Sequence, residues 1–464
     1  MSDDQGPWAM GCAGTPEILT PNLDRLAARG TRFENCFCVS PVCSPARASF
    51  LTGRIPSQHG IHDWIAGGNF HDTRGGPGGR GDCPIEYLER LTAFTDVLAA
   101  RGYVCGLSGK WHLGASHLPQ KGHSYWCVHA RGGGSYIDYP IFDNRPEPTR
   151  QTQYVTDLFA DRAIAFLDRH GRGPSPFCLS VHYTAPHSPW RKEEQPPEVW
   201  ARYEGCGFSS VPSLPPHPWG GWNPSPTERR ETLQGYFTAV TAMDAAIGRI
   251  LAKLDDLGVA EETLVVFTGD NGFNVGHHGI LGKGNGTFPL NMYEESVKVP
   301  LIVSGPGRVP AGRVSRDLVS HYDFMPMVLD YLGMEVPPNE ALPGRSFAGI
   351  LRGGSGGHEA VVVFSEYGPV RMIRNREWKY IHRHPGGPHE LYSLADDPGE
   401  ARNLVDDSRH AGVLAAMRKD LDGWFARFVA PSLDGAGLPV SGKGQIERVG
   451  PCGQGRPAFL PMNS

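Results

Sequence analysis

The feature that most narrows the fold is a series of short apolar runs separated by helical patterns. "TLVVFTGD" (263–270) and "VPLIVSGP" (299–306) show no alternation of polar and apolar residues. A strand without alternation is covered on both faces, as in a parallel or mixed sheet between two helical layers. "YVCGLSG" (103–109) and "PFCLSVHY" (176–183) read as further strands. The segments between them read as helices. In "TPNLDRLAARG", Thr20 is the expected N-cap, Pro21 takes the first helical position, and Gly30 is the stop. Leu23, Leu26 and Ala27 form its apolar face. "LTAFTDVLAARG" (91–102) repeats that design, and helices are also expected at "TDLFADRAIAFLDRHG", over 226–258 and at "YDFMPMVLDYLG". The expected fold class is α/β, with a large mixed, mostly parallel sheet sandwiched by helices.

In such sheets ligands bind beyond the carboxyl ends of the strands. Polar residues stand there: Lys110 and His112 in "SGKWHLG", His182 and His187 in "VHYTAPHSPW", Asp270 and Asn271 in "FTGDNG". After about residue 357 the texture changes. "EAVVVFSEYG", "VRMIRNREWKYIHR" and "HELYSL" read as short antiparallel strands, and "LAAMRKDLDGWFARFV" as a closing helix. The 464-residue chain is therefore expected to divide into a catalytic α/β domain over 1–356 and a smaller α+β domain over 357–464. The Gly/Pro-rich stretches 66–85 and 204–228 are expected to be ordered loops over the site.

A net charge of −5 and a pI near 6.4 give no support to nucleic-acid or membrane-surface binding. No apolar run reaches the roughly 18 residues of a membrane span. The ten cysteines contain no CxxC pair, and read mostly as idle or buried thiols in a reducing cytoplasm.

"PVCSPARASFLTGR" (41–54) carries Cys43-x-Pro45-x-Arg47 followed by "LTGR". This resembles the signature of the type I sulfatases, of the alkaline-phosphatase-like superfamily. There the cysteine is oxidised after translation to formylglycine. "SDDQG", "TPNLDRLAARG", "GKWHLG", "TAPHSPW", "GDNG" and "GKGNGTFPLNMYEESVKVPLIV" are similar to further blocks of that family, in the expected order. The resemblance continues into the C-terminal "REWKYIHR…ELYSLADDPGE".

The chemistry of those residues suits a sulfate ester hydrolase. A thiol is a poor group for attacking a sulfur shielded by anionic oxygens. A hydrated aldehyde offers two hydroxyls on one carbon: one attacks, and the other, once deprotonated, expels sulfate. The segment from Pro45 reads as a helix N-terminus, whose free N–H groups favour anions. Arg47 adds positive charge and can fix the hydroxyls. Asp3, Asp4, Asp270 and Asn271 are hard oxygen donors, suited to Ca²⁺ or Mg²⁺. The resemblance implies Ca²⁺, and implies that Lys110 holds the hydrated aldehyde. It makes His112 the base for sulfate release, with His187 and Lys283 gripping sulfate and the bridging oxygen. The expected partners are a small-molecule or glycan sulfate ester and, transiently, a formylglycine-generating enzyme. The oligomeric state is open. The competing readings are a phosphomonoester or phosphonate hydrolase or phosphotransferase of the same superfamily, and an inactive homologue.

His277 and His278 ("GHHG") read as lining groups beside the metal or as structural residues. His59, His62 and Trp64 either border the pocket or pack, and His382, His384 and His389 are candidates for its rim. The family resemblance places an apolar strand before "DDQG", where this sequence has only Met1 and Ser2. The expectation is a reading frame that starts further upstream, the alternative being loss of an interior strand. As it stands the sequence predicts a cytoplasmic protein; an upstream leader would make it periplasmic or secreted.

Overall fold

The computed structural model describes residues 1–70, 83–305, 307–337, 341–453 and 455–462. Most of the predicted loop 66–85 lies outside them. In chain order the main elements of the first part are α1 (Pro21–Ala28), β1 (Thr31–Phe33), α2 (Cys43–Thr52), β2 (Val104–Lys110), β3 (His123–His129), β4 (Tyr139–Asp143), β5 (Thr149–Gln151), α3 (Val155–His170), β6 (Phe177–His182), α4 (Pro226–Asp256), β7 (Val265–Thr268), β8 (Leu301–Ser304), β9 (Arg313–Ser315) and α5 (Phe324–Tyr331). The second part has β10 (Ala360–Ser365), β11 (Val370–Asn375), β12 (Trp378–Arg383), β13 (Glu390–Ser393) and α6 (Ala411–Phe428).

One ladder runs β5-β4-β3-β2-β6, with β2 parallel to both β3 and β6. A second runs β9-β1-β8-β7, antiparallel except for β1 with β9. Met1–Asp3 bridge the carboxyl ends of β6 and β7. Tyr183 N–H donates to Met1 O at 2.9 Å, Asp3 N–H to Ala185 O at 3.0 Å, Ser2 N–H to Thr268 O at 2.8 Å and Asp270 N–H to Ser2 O at 3.0 Å. These bonds bring the two aspartates of "SDDQG" beside Asp270.

Burial on both faces explains the apolar strands. In β8, Leu301 and Val303 enter one core while Ile302 enters the other. On the first side, Phe50 of α2 stacks on Phe324 of α5 at 4.0 Å between ring centres. On the second, α3 and α4 pack together through Phe159 and Met243. α4 begins with Pro226 behind a capping box of Ser225 and Glu228. Thr20 does stand at the N-cap of α1, but its hydroxyl does not cap the helix. It accepts from Gly11 N–H at 2.9 Å and donates to Asp24 at 3.1 Å, tying down the preceding loop. β10 to β13 form an antiparallel meander, which α6 covers with Met417, Leu421 and Phe425.

Candidate active site

The ten residues singled out from the sequence converge at the carboxyl ends of β2, β6 and β7. Cys43 opens α2, whose ten residues are all buried. Its Sγ lies 3.4 Å from Asp3 Oδ1 and 3.0 Å from Lys283 Nζ. The oxygens of Asp3, Asp4 and Asp270 come within 4.8 Å of one another, and all three side chains are buried.

Three cations oppose them. Lys110 Nζ, at the end of β2, donates to Asp3 Oδ2 at 2.5 Å. Arg47, one turn into α2, donates through Nε to Asp270 Oδ2 at 3.0 Å and through Nη1 to Lys110 O at 3.1 Å. Lys283 Nζ donates to Asp4 Oδ1 at 2.6 Å. Asn271 Nδ2 donates to the same oxygen at 2.8 Å, leaving the Asn271 carbonyl oxygen 3.4 Å from Lys283. Asp4 has φ 59°, and its carbonyl is held by the hydroxyl of Tyr236 at 3.0 Å.

These contacts set the charge states. Burial pushes Asp3 upward, and Asp270 adds to this. Burial also opposes ionisation of Asp4 and Asp270, but Lys283 for the first and Arg47 with Lys110 for the second hold both below the usual carboxylate range. Burial, followed by the charge of Asp3, pushes the Cys43 thiol up to about 12, so an unmodified thiol there is protonated at neutral pH. Burial, then Lys110 and Arg47, keep His112 neutral, well below its ordinary value.

His112 sits at φ 56° with Nε2 3.1 Å from Ile65 O. Ile65 O can only accept, so Nε2 carries the proton. Nδ1 has no protein partner. Gly132 permits the close approach, because a Cβ there would lie 2.2 Å from His112 Nε2. His187 Nε2 is 3.7 Å from Asp4 Oδ2, and its Nδ1 is 2.7 Å from Ser188 O. A cavity of about 460 Å³ opens onto Cys43, Lys110, His112, His187 and Lys283.

Among the other histidines, none that was singled out lines this cavity in the described residues. His59 and His62 pack inside, bonded to Ser49 Oγ and Leu433 O. His277 lies against the Trp8 ring, and His278 stacks on Tyr293 and meets Glu295 at 2.9 Å. His382 stacks with His389 and meets His384 edge-on. Trp64 does border the cavity, together with Phe70 from the stretch 66–85 expected to lie over the site, and with Arg131, Asn285 and Tyr367, three residues the sequence did not mark. Asn285 lies within the recognised block "GKGNG", so a signal for it existed. Arg131 and Tyr367 follow no motif.

A family model described as "Sulfatase" matches residues 1–334. The chain belongs to the sulfatase family. A model of the N-sulphoglucosamine sulphohydrolase C-terminal region matches residues 285–426 of the sulfatase. It is 27% identical to the N-acetylglucosamine-6-O-sulfatase of Bacteroides thetaiotaomicron, over 89% of this chain and 82% of that one. It is 28% identical to human arylsulfatase A, over 87% and 82%. A structure solved in complex with its substrate D-glucosamine-2-N,6-O-disulfate has the same fold at TM-score 0.76, with 24% identity and 92% and 97% of the two chains covered. The fold is alkaline-phosphatase-like, and the sulfatase is a sulfuric ester hydrolase. No helix of the described residues is long and apolar enough to cross a membrane.

Proposed function

We propose that this sulfatase hydrolyses a sulfate monoester of a carbohydrate, using Cys43 after its oxidation to formylglycine and one divalent cation. The observation that carries the reading is the convergence on Cys43 Sγ of Lys283 at 3.0 Å and Asp3 at 3.4 Å, inside a cluster of three buried carboxylates. Like charges that close destabilise one another unless cations intervene. Asp3, Asp4 and Asp270 are balanced by Arg47, Lys110 and Lys283, so an added divalent ion leaves net positive charge for an anionic ester.

The donor set fits a hard cation: three carboxylates and the Asn271 carbonyl, with no sulfur or imidazole required. Asp3, Asp4, Asp270 and Asn271 would hold it, and we take the ion as Ca²⁺. Once bound, such an ion polarises the ester and lowers the pKa of the attacking hydroxyl. Arg47 and Lys110 orient the hydrated aldehyde at position 43. Lys283 and His187 bind the sulfate oxygens and stabilise the departing alkoxide. His112, neutral and with Nδ1 available, takes the proton whose loss releases sulfate.

Two features support a sugar over a smaller substrate. The cavity is lined by the aromatic residues Trp64, Phe70 and Tyr367 and by Arg131. The N-acetylglucosamine-6-O-sulfatase of Bacteroides thetaiotaomicron aligns along most of both chains. In the division of labour we propose, residues 1–356 carry the chemistry and 357–464 complete the pocket wall. The test compares sulfated monosaccharides, an aryl sulfate and an aryl phosphate, using protein whose Cys43 peptide is about 18 Da lighter than the thiol form. Fastest turnover of a sulfated sugar is expected. Preference for the phosphate, or full activity with an unmodified thiol, would overturn the proposal.

A further inference from the structure

Residues 427–464 lie beyond both matched regions, yet the chain after α6 returns to the active site. Ala430 N–H donates to Ser57 O at 3.0 Å, and Gly444 N–H to Asp63 Oδ2 at 3.1 Å. Gln445, fully buried, then engages the segment that walls the cavity. Its N–H donates to Trp64 O at 2.7 Å, and its carbonyl accepts from Ala66 N–H at 2.9 Å and Gly67 N–H at 3.3 Å. Its side chain accepts from His62 N–H at 3.0 Å and donates to Gly60 O at 2.9 Å and Glu447 O at 3.0 Å. One side chain therefore ties residues 60 and 62 to the tail, while its backbone clamps 64 to 67.

Ile65 sits in the middle of that clamp. Its N–H donates to Ser44 Oγ at 3.0 Å, and Ser44 Oγ donates to His112 O at 3.0 Å. Its carbonyl accepts a hydrogen bond from His112 Nε2–H at 3.1 Å. The ring thus has one tautomer, with the Nδ1 lone pair left for chemistry.

Resting on the proton-transfer role proposed for His112, we infer that Gln445 is a positioning residue. It holds the Ile65 carbonyl where that carbonyl fixes the tautomer and angle of the His112 ring. Arg131, Trp64 and Tyr367 shape what enters the cavity, whereas Gln445 acts on how fast bound substrate turns over. Its loss therefore falls on kcat and not on KM, since misplacement of a reacting group by about 1 Å costs up to about 100-fold.

The test is Gln445→Met, which keeps the volume and removes the side-chain hydrogen bonds, in full-length, metal-loaded, formylglycine-bearing enzyme. The expected result is kcat lowered about tenfold or more with KM within about twofold. Nitrogen-15 NMR of the imidazole should show His112 leaving the pure Nε2–H tautomer, a change that a simple loss of stability does not produce. If the methionine variant is insoluble, Gln445→Asn is measured the same way. An unchanged kcat, a loss confined to KM, or an unaltered tautomer overturns the role of Gln445. His112→Gln separates the two layers: if it is inactive while Gln445→Met is normal, only the positioning role falls. If His112→Gln turns over normally, the proton-transfer role falls with it.

Discussion

Two buried ionic clusters invite comparison. Around Cys43, Asp3, Asp4 and Asp270 crowd one another and the cations lean toward a nucleophile. At the contact between the large sheet and the C-terminal meander, Glu294 meets Lys298 at 2.7 Å, Lys379 at 2.8 Å and Arg374 at 3.2 Å. Glu400 meets Lys379 at 2.6 Å and accepts Glu294 N–H at 2.7 Å. Burial and charge are alike in the two places. The difference lies in what is left over. In the second cluster three cations serve two carboxylates, and Lys379 also donates to Met292 O at 2.8 Å. In the first, three carboxylates share a space small enough for one ion, beside an open cavity. His278, Glu295 and Glu400 also approach within 4.8 Å, but His278 is paired with Glu295 and Glu400 with Lys379. Density of charge does not mark a site. Three carboxylates gathered beside a nucleophile at an open cavity do.

The comparison breaks most sharply at Cys43. Cys43→Ala should lower kcat at least about 10⁴-fold, as removal of a nucleophile does elsewhere, with Tm within a few degrees. Turnover by that variant would make the first cluster as structural as the second. Next comes the cation. Removing metal with a chelator should lower kcat about 100-fold or more, with recovery on adding Ca²⁺. Thermal melts give an independent reading: Ca²⁺ at about 100 times its Kd should add about 2.7 kcal/mol. That gain should vanish in Asp270→Asn and persist in Glu295→Gln. A gain lost only in Glu295→Gln would move the ion to the other cluster.

The second cluster should respond in the opposite manner. Lys379→Met leaves Glu294 and Glu400 facing each other without their shared cation. Breaking a buried pair in this way costs about 3–5 kcal/mol. Kinetics per folded molecule should be unchanged, and a large fall in kcat at constant stability would argue that this cluster also serves the chemistry.

The first cluster was legible in the sequence by two routes: Lys110 and Asp270 stand at or just beyond the ends of apolar strands, while Asp3, Asp4, Arg47 and Lys283 stand in blocks that resemble the sulfatases. "GKWHLG" follows β2 and "GDNG" follows β7, so naming the strands located the side chains. What escaped was anything brought in by distant chain. Gln445 reaches Trp64 across some 380 positions, and nothing local in "SGKGQIERVG" announces a partner. Arg131 and Tyr367 become cavity residues only through the packing of loops. The histidines stayed open for a physical reason: residues such as His277 and His278 are equally suited to ligating and to packing on aromatic rings, and here His277 lies tilted against Trp8 while His278 stacks on Tyr293.

The smallest expected effect concerns histidines that belong to neither cluster. His123 is buried, 2.7 Å from Gln120 O through Nδ1 and beside Trp111 and Trp126. Burial lowers its pKa to about 4, and His62 is lowered equally for the same reason. The unfolded chain binds these protons near pH 6.5, the folded chain only near 4, so in that window the unfolded state holds more protons. Stability is therefore complete above pH 6.5 and falls as the pH drops toward 4. Each such histidine contributes a slope of up to about 1.4 kcal/mol per pH unit. His123→Asn keeps a donor toward Gln120 O but cannot titrate. It should lower stability at pH 7 through lost packing, yet flatten the acid limb by about one proton in urea titrations between pH 6.5 and 4.5. An unflattened limb would mean that His123 charges without cost, and that its surroundings are wetter than the aromatic packing indicates.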